Sequence, residues 1–304
     1  MFIELHAERR TDGLRWGVEP ICSALEVPVS TFYSARSRPL SARSQRDAVM
    51  APILLALWIA NLRVYGARKL WIAARDAGHE IGRDQVARLM RRLGIRGVTK
   101  TSCKVVTTRP DPAAGRAPDR VNRDFTADEP NRLWVTDLTY VATWAGTAYV
   151  CFIIDAFSRM IVGWRVASNM RTDMVLDALE MARWRRGTLL EGLVAHSDAG
   201  SQFTSIRYGE RLAEIGAVPS IGSVGDSYDN ALAEAVNGLY KAEVIRHPDR
   251  GPWRTVDDVE LATLEWVHWW NNQRIHGYLN DVAPAAYEAA HHARQAEQQL
   301  LKSK

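Results

Sequence analysis

The sequence predicts an α/β protein with a mixed sheet, preceded by an all-α region. Three runs rich in apolar, β-branched and aromatic residues follow one another within 132–168, and such runs are typical of consecutive antiparallel strands. After them, helical and strand-like segments alternate, whereas before them the apolar residues recur at helical spacing. This order of segments indicates a mixed sheet covered by helices.

The front region is predicted to form short helices over 18–25, 29–36, 47–61, 66–77 and 83–94. A short glycine-containing turn, 78–82, joins the last two, and Gly94 is a helix stop. Helix, tight turn and basic helix is the helix-turn-helix pattern, although a simple two-helix hairpin gives the same signal. We expect the arginines of the final helix to contact DNA phosphates; they are Arg83, Arg88, Arg91 and Arg92.

Charge is divided unevenly along the chain. Residues 1–132 carry 23 Lys and Arg against 14 Asp and Glu, whereas the remainder carries 16 against 21. The net charge of +4 therefore hides a basic front half and an acidic back half. This division favours a polyanion-binding module joined to a second domain, with solvated arginine-rich helix faces as an equal alternative.

Composition excludes several classes of protein. A chain of 304 residues with 47% hydrophobic and 24% charged residues is typical of a globular protein of two or three domains. The three cysteines lie far apart without CxxC spacing, which argues against a disulfide scaffold. The longest apolar run of the front half has 12 residues, and the N-terminus has acids where a signal peptide has a basic start and an apolar core, so we expect neither a membrane segment nor a signal peptide.

The back half is predicted to begin after a linker. Segment 107–130 contains four prolines and no apolar period, as linkers do. The predicted strands then cover 132–143, 147–158, 160–168, 192–200 and 217–223. The predicted helices cover 171–186, 205–215, 227–246 and 255–272.

Three acidic residues of this half lie on three different elements. Asp137 interrupts an apolar strand, Asp198 ends another, and Glu234 lies on the long helix. A carboxylate that faces a core is costly without a cation, and a set of carboxylates suits Mg²⁺. Each acid alone is more typical of a cap, a turn or the surface; Asp155, after a further strand, is interpreted as a turn residue.

The long helix has a polar and an apolar face. At about 100° per residue, Asn230, Asn237 and Lys241 fall close to Glu234 on one stripe. The other face is apolar and consists of Leu232, Ala235, Val236 and Leu239. The polar stripe indicates either a functional site or a solvated surface. Asp226, Ser227 and Asp229 are predicted to cap the helix.

Two further features have alternative interpretations. His196 lies on the same side of its strand as Asp198, so it is either a DNA-contacting or site-supporting group or a buried, hydrogen-bonded histidine. A cluster of tryptophans in 255–272 is more typical of a core than of a base-stacking surface; it consists of Trp266, Trp269 and Trp270.

The spacing of the acids leads to a family. Sixty residues separate Asp137 from Asp198, and 35 separate Asp198 from Glu234. With the stretches YGARKLW, GRDQVARLMRRLGIRG, LWVTDLTY, HSDAGSQFTS, GSVGDSYDNALAEAVNGLYKAEVI and WNNQRIHGYL, the chain resembles the second-reading-frame product of bacterial insertion-sequence transposases. These transposases belong to the retroviral-integrase superfamily, whose site contains two aspartates and one glutamate (DDE). The resemblance extends over about residues 60–290.

The resemblance implies a ribonuclease-H-like catalytic core with a mixed five-stranded sheet, and DNA strand cleavage followed by strand transfer. Asp137, Asp198 and Glu234 fall on the catalytic, metal-binding acids of the family, and Lys241 falls on a base that contacts the element end. We assign DNA contacts to Asn230 and His196 as well. We expect two Mg²⁺ ions, with Mn²⁺ as a substitute, and Asp137 as the ligand shared by both ions.

The expected organisation and partners follow. We expect an N-terminal helical segment, a helix-turn-helix domain, a linker, a catalytic core and a C-terminal helical extension, at 1–45, 46–106, 107–130, 131–248 and 249–304. The expected partners are double-stranded DNA at element ends and targets, the product of an upstream reading frame as a fusion, and further copies of the chain on DNA. The expected location is the bacterial cytoplasm, in association with the nucleoid.

Two departures from the family pattern and several alternatives qualify this assignment. Ala235 follows the glutamate where serine is common, and no His-His-Cys-Cys zinc cluster is present in the sequence. A ribonuclease-H-type nuclease without strand transfer would share the acids and the sheet. A DNA-binding regulator would share only the front half, and a catalytically inactive element remnant would keep the acids without activity.

Overall fold

The computed structural model describes residues 2–99, 117–222 and 230–303. Contacts between residues divide the chain into two units, Met1–Ile53 and Leu54–Lys304. The first unit contains α1 (Phe2–His6), a hairpin of β1 (Arg10–Thr11) and β2 (Leu14–Arg15), α2 (Val18–Ala24) and α3 (Val29–Ser37). The helices predicted at 18–25 and 29–36 are confirmed, whereas the short hairpin was not predicted.

The helices next in the chain form the helix-turn-helix. Helix α4 (Ala42–Ala60) begins five residues earlier than predicted and runs through Pro52. Helices α5 (Ala67–Asp76) and α6 (Arg83–Leu93) confirm the predicted pair. The apolar face of α6 is buried, and the helix ends at Gly94 in the left-handed region with φ 68°. Glycine enters this region at lower cost than residues with a side chain, so the predicted stop has a physical cause.

A mixed five-stranded sheet follows, as expected. Strands β3 (Leu133–Thr143), β4 (Gly146–Asp155) and β5 (Ile161–Ala167) are antiparallel neighbours. Helix α7 (Thr172–Arg186), strand β6 (Val194–Ser197), helix α8 (Ile206–Glu214) and strand β7 (Val218–Ile221) come next in the chain. The spatial order is β5-β4-β3-β6-β7, with β6 parallel to β3 and β7 parallel to β6. Strand β3 is therefore central, and the ribonuclease-H-like architecture is confirmed.

Helix α7 packs so closely on β5 that Gly163 has no room for a side chain. A Cβ atom there would lie 2.2 Å from the carbonyl oxygen of Ala178 and 3.0 Å from the Cβ atom of Ala182. Both neighbours belong to the helix, so a side chain at position 163 would force the helix to move away from the sheet.

We expect Gly163→Ala to lower the free energy of unfolding by about 2–3 kcal/mol because it overpacks this contact. The control is Gly209→Ala in α8, where a new Cβ would have no heavy atom within 4 Å and better helix propensity adds about 0.5–1 kcal/mol. Urea unfolding followed by circular dichroism measures both variants. Equal losses of unfolding free energy in the two variants would contradict the close approach of α7 to Gly163.

The C-terminal part consists of helices that cover the sheet. Helix α9 (Ala231–Tyr240) continues into a π-helical turn, Lys241–Ile245, and is followed by α10 (Val256–Asn272) and α11 (Pro284–Lys302). Thr255 and Asp258 form a capping box that begins α10. The tryptophan cluster is buried, which confirms its assignment to the core. The predicted cap Asp226–Asp229 lies outside the described residues.

The buried face of α9 differs from the apolar face in the sequence. Its buried residues are Ala233, Val236, Asn237 and Tyr240, whereas Leu232, Ala235 and Leu239 are only half-buried. The helix is turned because the amides of Asn230 and Asn237 bond to β3, and because Tyr240 bonds to Thr263 of α10. Hydrogen-bonded polar groups can enter a core, so hydrophobicity alone misplaced this face. Among the described helices, none has both the length and the apolar character needed to cross a bilayer.

Candidate active site

Asp137 lies on the central strand of the sheet. It is half-buried, opposite Phe152 of β4. Its carboxylate accepts one hydrogen bond from the Leu138 N–H group and one from Nδ2 of Asn237, both at 2.8 Å. The second bond ties the strand directly to helix α9.

Asp198 follows the neighbouring parallel strand. Ser197, the last residue of β6, pairs with Thr136 of β3, so the next residue of each strand carries a carboxylate. The Asp198 Oδ1 atom accepts a hydrogen bond from the Gly200 N–H group at 3.1 Å. A Cβ atom at Gly200 would lie only 3.0 Å from that oxygen, so the glycine lets the turn close over the carboxylate.

Glu234 is in the first turn of α9, and its side chain is exposed. The helix is anchored to β3 on each side of this residue. Nδ2 of Asn230 donates to the Thr136 carbonyl at 3.2 Å, and Asn237 bonds to Asp137. These two bonds hold the glutamate beside the strand that carries the first aspartate.

The three carboxylates interact electrostatically. Burial raises the pKa of Asp137 to about 7, and the negative charges of Asp198 and, more weakly, Glu234 add to the increase. The hydrogen bonds from Leu138 and Asn237 oppose it. The charges of Asp198 and Glu234 therefore act on Asp137, and the joint site of the three acids stays a prediction.

Divalent cations suit this donor set, but the described residues do not form a closed cage. Carboxylate oxygens are the preferred ligands of Mg²⁺, and like charges held together need a cation to remain ionised. Within residues 2–99, 117–222 and 230–303, no group of three His, Cys, Asp or Glu side chains is arranged to hold a metal ion.

The other predicted site residues of the core occupy different environments. The Lys241 ammonium lies 4.8 Å from the centre of the Tyr140 ring, on the strand that carries Asp137. Asn230 and His196 are only 6% and 1% exposed, respectively. His196 Nδ1 lies 3.0 Å from Ser220 Oγ, which favours the buried, hydrogen-bonded alternative over a DNA contact. Asn230 is likewise engaged with the backbone of β3 rather than with the surface.

The four arginines of the helix-turn-helix lie on α6. Arg83, Arg91 and Arg92 are exposed and Arg88 is half-buried. The opposite face is held in the core by Val86, Leu89 and Met90. The basic face of the helix is therefore available to a polyanion.

Asn237 is a site residue that the sequence did not assign. It lay on the polar stripe of the long helix, but nothing in its spacing showed that it would reach Asp137. Only 7% of the residue is exposed, and its Oδ1 atom has no hydrogen-bond partner. In the sequence, the only indication of a role for Asn237 was its place one helical turn after Glu234. That place becomes informative only when the strand that packs against the helix is known.

Comparison with protein families defines the class of protein. Residues 127–227 and 216–284 match models of the integrase core domain, and residues 44–102 match a helix-turn-helix-like domain. An integrase core on this sheet, with acids on its central strands, defines a polynucleotidyl transferase of the DDE type.

Curated relatives narrow the class. The chain is 51% identical over 274 residues to a putative transposase for insertion sequence element IS986/IS6110 of Mycobacterium tuberculosis, covering 89% of this chain and 98% of that protein. It is 47% identical to a transposase for IS629 of Shigella sonnei, covering 92% and 94%. The chain belongs to the family of insertion-sequence transposases.

Solved structures show more distant likeness. The simian T-cell lymphotropic virus intasome, in complex with PP2A regulatory subunit B56 gamma, is 13% identical with a TM-score of 0.43, covering 74% of this chain and 70% of that chain. The HTLV-2 integrase catalytic core domain in complex with magnesium is 16% identical with a TM-score of 0.40, covering 53% and 99%. No functional conclusion follows from likeness at this level.

Proposed function

We propose that this transposase cuts a DNA strand at the end of its element and joins the new 3′ end to target DNA, with Asp137, Asp198 and Glu234 as the catalytic acids. The observation that supports this proposal is the placement of the three carboxylates: Asp137 and Asp198 each follow one residue of the pair Thr136 and Ser197, and the helix of Glu234 is bonded to β3. Burial, and then the charges of Asp198 and Glu234, raise the pKa of Asp137 to about 7. A set of coupled acids without a cation is unfavourable, so its presence in an integrase core has a functional explanation.

The three acids would hold Mg²⁺, or Mn²⁺ in its place. Two bound ions would activate an oxygen nucleophile and stabilise the departing oxygen of the phosphodiester. Asp137, on the central strand, would be the shared ligand, with Asp198 and Glu234 each on one side. Asn237 orients the Asp137 carboxylate through its 2.8 Å hydrogen bond.

Basic residues on two elements would hold the DNA. Lys241 follows the helix that carries Glu234 and would contact the element end beside the acids. The exposed arginines of α6 would neutralise backbone phosphates of double-stranded DNA. Because the described catalytic residues include no assigned nucleophilic side chain, the attacking groups would be water and then the freed 3′-hydroxyl.

Domain limits, partners and location complete the proposal. We place the helix-turn-helix at 46–106 and the catalytic core at 131–248, between an N-terminal segment (1–45), a linker (107–130) and a C-terminal extension (249–304). The chain would act as an oligomer on DNA, fused to the product of an upstream reading frame, in the nucleoid of the cytoplasm.

The test uses short duplexes that tile the DNA on both sides of the chain's own reading frame. Purified full-length protein, both alone and fused to the product of the upstream reading frame, is incubated with a labelled duplex and Mg²⁺ or Mn²⁺, and products are separated at nucleotide resolution. We expect cleavage at one end position and joined products that are longer than the substrate, and neither in EDTA. Cutting of an RNA–DNA hybrid without joined products would instead identify a ribonuclease-H-type nuclease.

A further inference from the structure

The helix that carries Glu234 ends in an unusual way. After Tyr240 it becomes a π-helical turn, in which the Arg246 N–H group donates to the Lys241 carbonyl at 2.8 Å. Such turns insert an extra residue into a helix and recur at functional sites. Here the turn directs Glu243 into the protein, where only 3% of the residue is exposed.

Glu243 is held by an arginine from beyond α10. Nη2 of Arg274 donates to its carboxylate at 2.5 Å, and Nε donates at 3.2 Å. The indole N–H group of Trp266 donates to the second oxygen at 3.0 Å. The guanidinium is itself buried and lies 4.5 Å from the Trp270 ring centre. A planar guanidinium with two donors fixes the direction of its partner as well as its distance.

The segment around Arg274 is also held by the helix-turn-helix. The Tyr65 hydroxyl accepts a hydrogen bond from the Ile275 N–H group at 2.7 Å and donates to the Gln273 carbonyl at 3.3 Å. Tyr65 immediately precedes Gly66, the N-terminal cap of α5, and is 1% exposed. The Tyr65 hydroxyl therefore hydrogen-bonds to the backbone of the residues on both sides of Arg274.

Three further contacts join the same two regions. The Trp269 indole donates to Oδ1 of Asn61 at 3.2 Å. Arg68 on α5 makes a bidentate pair with Asp281 at 2.7 and 2.9 Å, and Arg63 pairs with Asp249 at 2.9 Å. All of these residues belong to the unit Leu54–Lys304.

A stabilising role alone does not explain the buried pair. Burying two charges costs about as much as their attraction returns, and apolar residues of the same volume are often as stable. An ion pair with fixed geometry can instead select one arrangement of the elements that it joins. The two elements joined here are the proposed DNA-reading helices and the helix of the proposed catalytic glutamate.

We propose that Tyr65, Glu243 and Arg274 form a rigid spacer that sets the distance along DNA between the segment bound by α6 and the phosphodiester that is cut. These three are positioning residues, because they touch neither the DNA nor the reacting atoms. The inference rests on the proposed function, since it requires DNA on α6 and cleavage beside Glu234. Beyond the proposed function, it states which residues determine the position at which the DNA is cut.

The test compares the cut position of the full-length wild type with those of Glu243→Gln and Tyr65→Phe. Glu243→Gln removes one charge from the buried pair, and Tyr65→Phe removes only the hydroxyl group, so it remains informative if the first variant does not fold. The control is Asp173→Asn, which breaks an exposed pair with Arg207. Circular dichroism selects a temperature at which each variant is folded.

Two quantities are measured on the duplex that the wild type cuts. We expect the rate at the wild-type position to fall about 10²-fold in both spacer variants, because small displacements are costly, and cuts to spread to neighbouring phosphates. We expect the dissociation constant for the same duplex, measured in EDTA, to change less than about threefold. The control variant Asp173→Asn should match the wild type in both the cleavage rate and the dissociation constant.

A role in folding alone predicts a different pattern, because loss of folded protein reduces the amount of product without moving the cut. Folded variants that cut only at the wild-type position would overturn the spacer and leave the proposed function intact. A wild type that cuts no tiled duplex with either metal, alone or fused to the upstream product, would overturn the proposed function, and the spacer with it.

Discussion

Asp137→Asn is expected to abolish strand cleavage and, at the same time, to stabilise the metal-free protein above neutral pH. In the proposed function Asp137 is the metal ligand shared by both ions, so its loss would remove several kcal/mol of transition-state stabilisation and we expect cleavage to fall about 10³-fold or more. A substitution that inactivates an enzyme by unfolding it does not also raise its stability. The combination therefore separates a catalytic role from a structural one.

The sign of the stability change follows from the pKa of Asp137. The carboxyl group ionises near pH 3.8 in the unfolded chain, but its pKa is raised to about 7 in the folded protein, mainly by burial and then by Asp198. Between these values the folded state holds the proton more tightly, so the contribution of Asp137 to stability falls as the pH rises. At pH 8 the folded protein carries the whole cost of the charge, roughly 1–3 kcal/mol for a half-buried group.

An asparagine at this position has no charge to bury. The Leu138 N–H group still finds an oxygen acceptor, and Asn237 can turn so that its Oδ1 atom, which now lacks a partner, accepts from the new amide. Thermal unfolding in EDTA at about pH 5 and pH 8 measures the effect, which should grow with pH. Asp173→Asn is the control, because Asp173 is exposed.

The companion variants Asp198→Asn and Glu234→Gln test the rest of the site. We expect both to lose cleavage by a similar factor, with little change in stability for Glu234→Gln because that side chain is exposed. Cleavage at the wild-type rate by any of the three variants would remove that residue from the site. A loss of stability at pH 8 in Asp137→Asn would contradict the cost assigned to the buried charge.

The features predicted from sequence are those whose causes are local. The three antiparallel strands were predictable because each is rich in apolar, β-branched and aromatic residues, and the end of α6 because Gly94 adopts a left-handed conformation. The DDE assignment came from spacing and resemblance. The missed hairpin was also local, because Asp12 and Gly13 at its turn both have positive φ, as Asp-Gly turns do.

The features that were missed depend on distant partners. The face that α9 buries is set by Thr136 and Asp137, about 100 residues before the amides that bond to them. Glu243 is an ordinary acid in the sequence, and its burial is explained by Arg274 and Trp266, which lie on later segments. Periodicity measures hydrophobicity along one element, so it cannot detect polar groups whose partners lie on another.

Glu288 of α11 gives the second large effect that we expect. This helix is rich in alanine, glutamine and histidine, so its sequence gives little apolar signal. It is held to the core by a buried carboxylate: Nη1 and Nη2 of Arg186 each donate to Glu288 at 2.6 Å, and the Ser158 hydroxyl donates to it as well. Glu288 is 6% exposed, and the side chain of Arg186 is 10% exposed.

We expect Glu288→Gln to lower the free energy of unfolding by about 3–5 kcal/mol, because it leaves the Arg186 guanidinium buried without its main partner. Asp155 lies 3.9 Å from that guanidinium and cannot replace two bonds of 2.6 Å. Urea unfolding measures the loss. The matched control is Glu297→Gln on the exposed part of the same helix, where we expect a change below about 0.5 kcal/mol.

The double variant Arg186→Met with Glu288→Gln decides whether the loss comes from the unpaired charge. Removing the arginine as well takes away the uncompensated cation, so the double variant should be more stable than Glu288→Gln alone. Additive losses would show that the two side chains act independently. If Glu288→Gln cost no more than Glu297→Gln, α11 would not be held to the core by this pair, and its apolar contacts alone would have to account for its position.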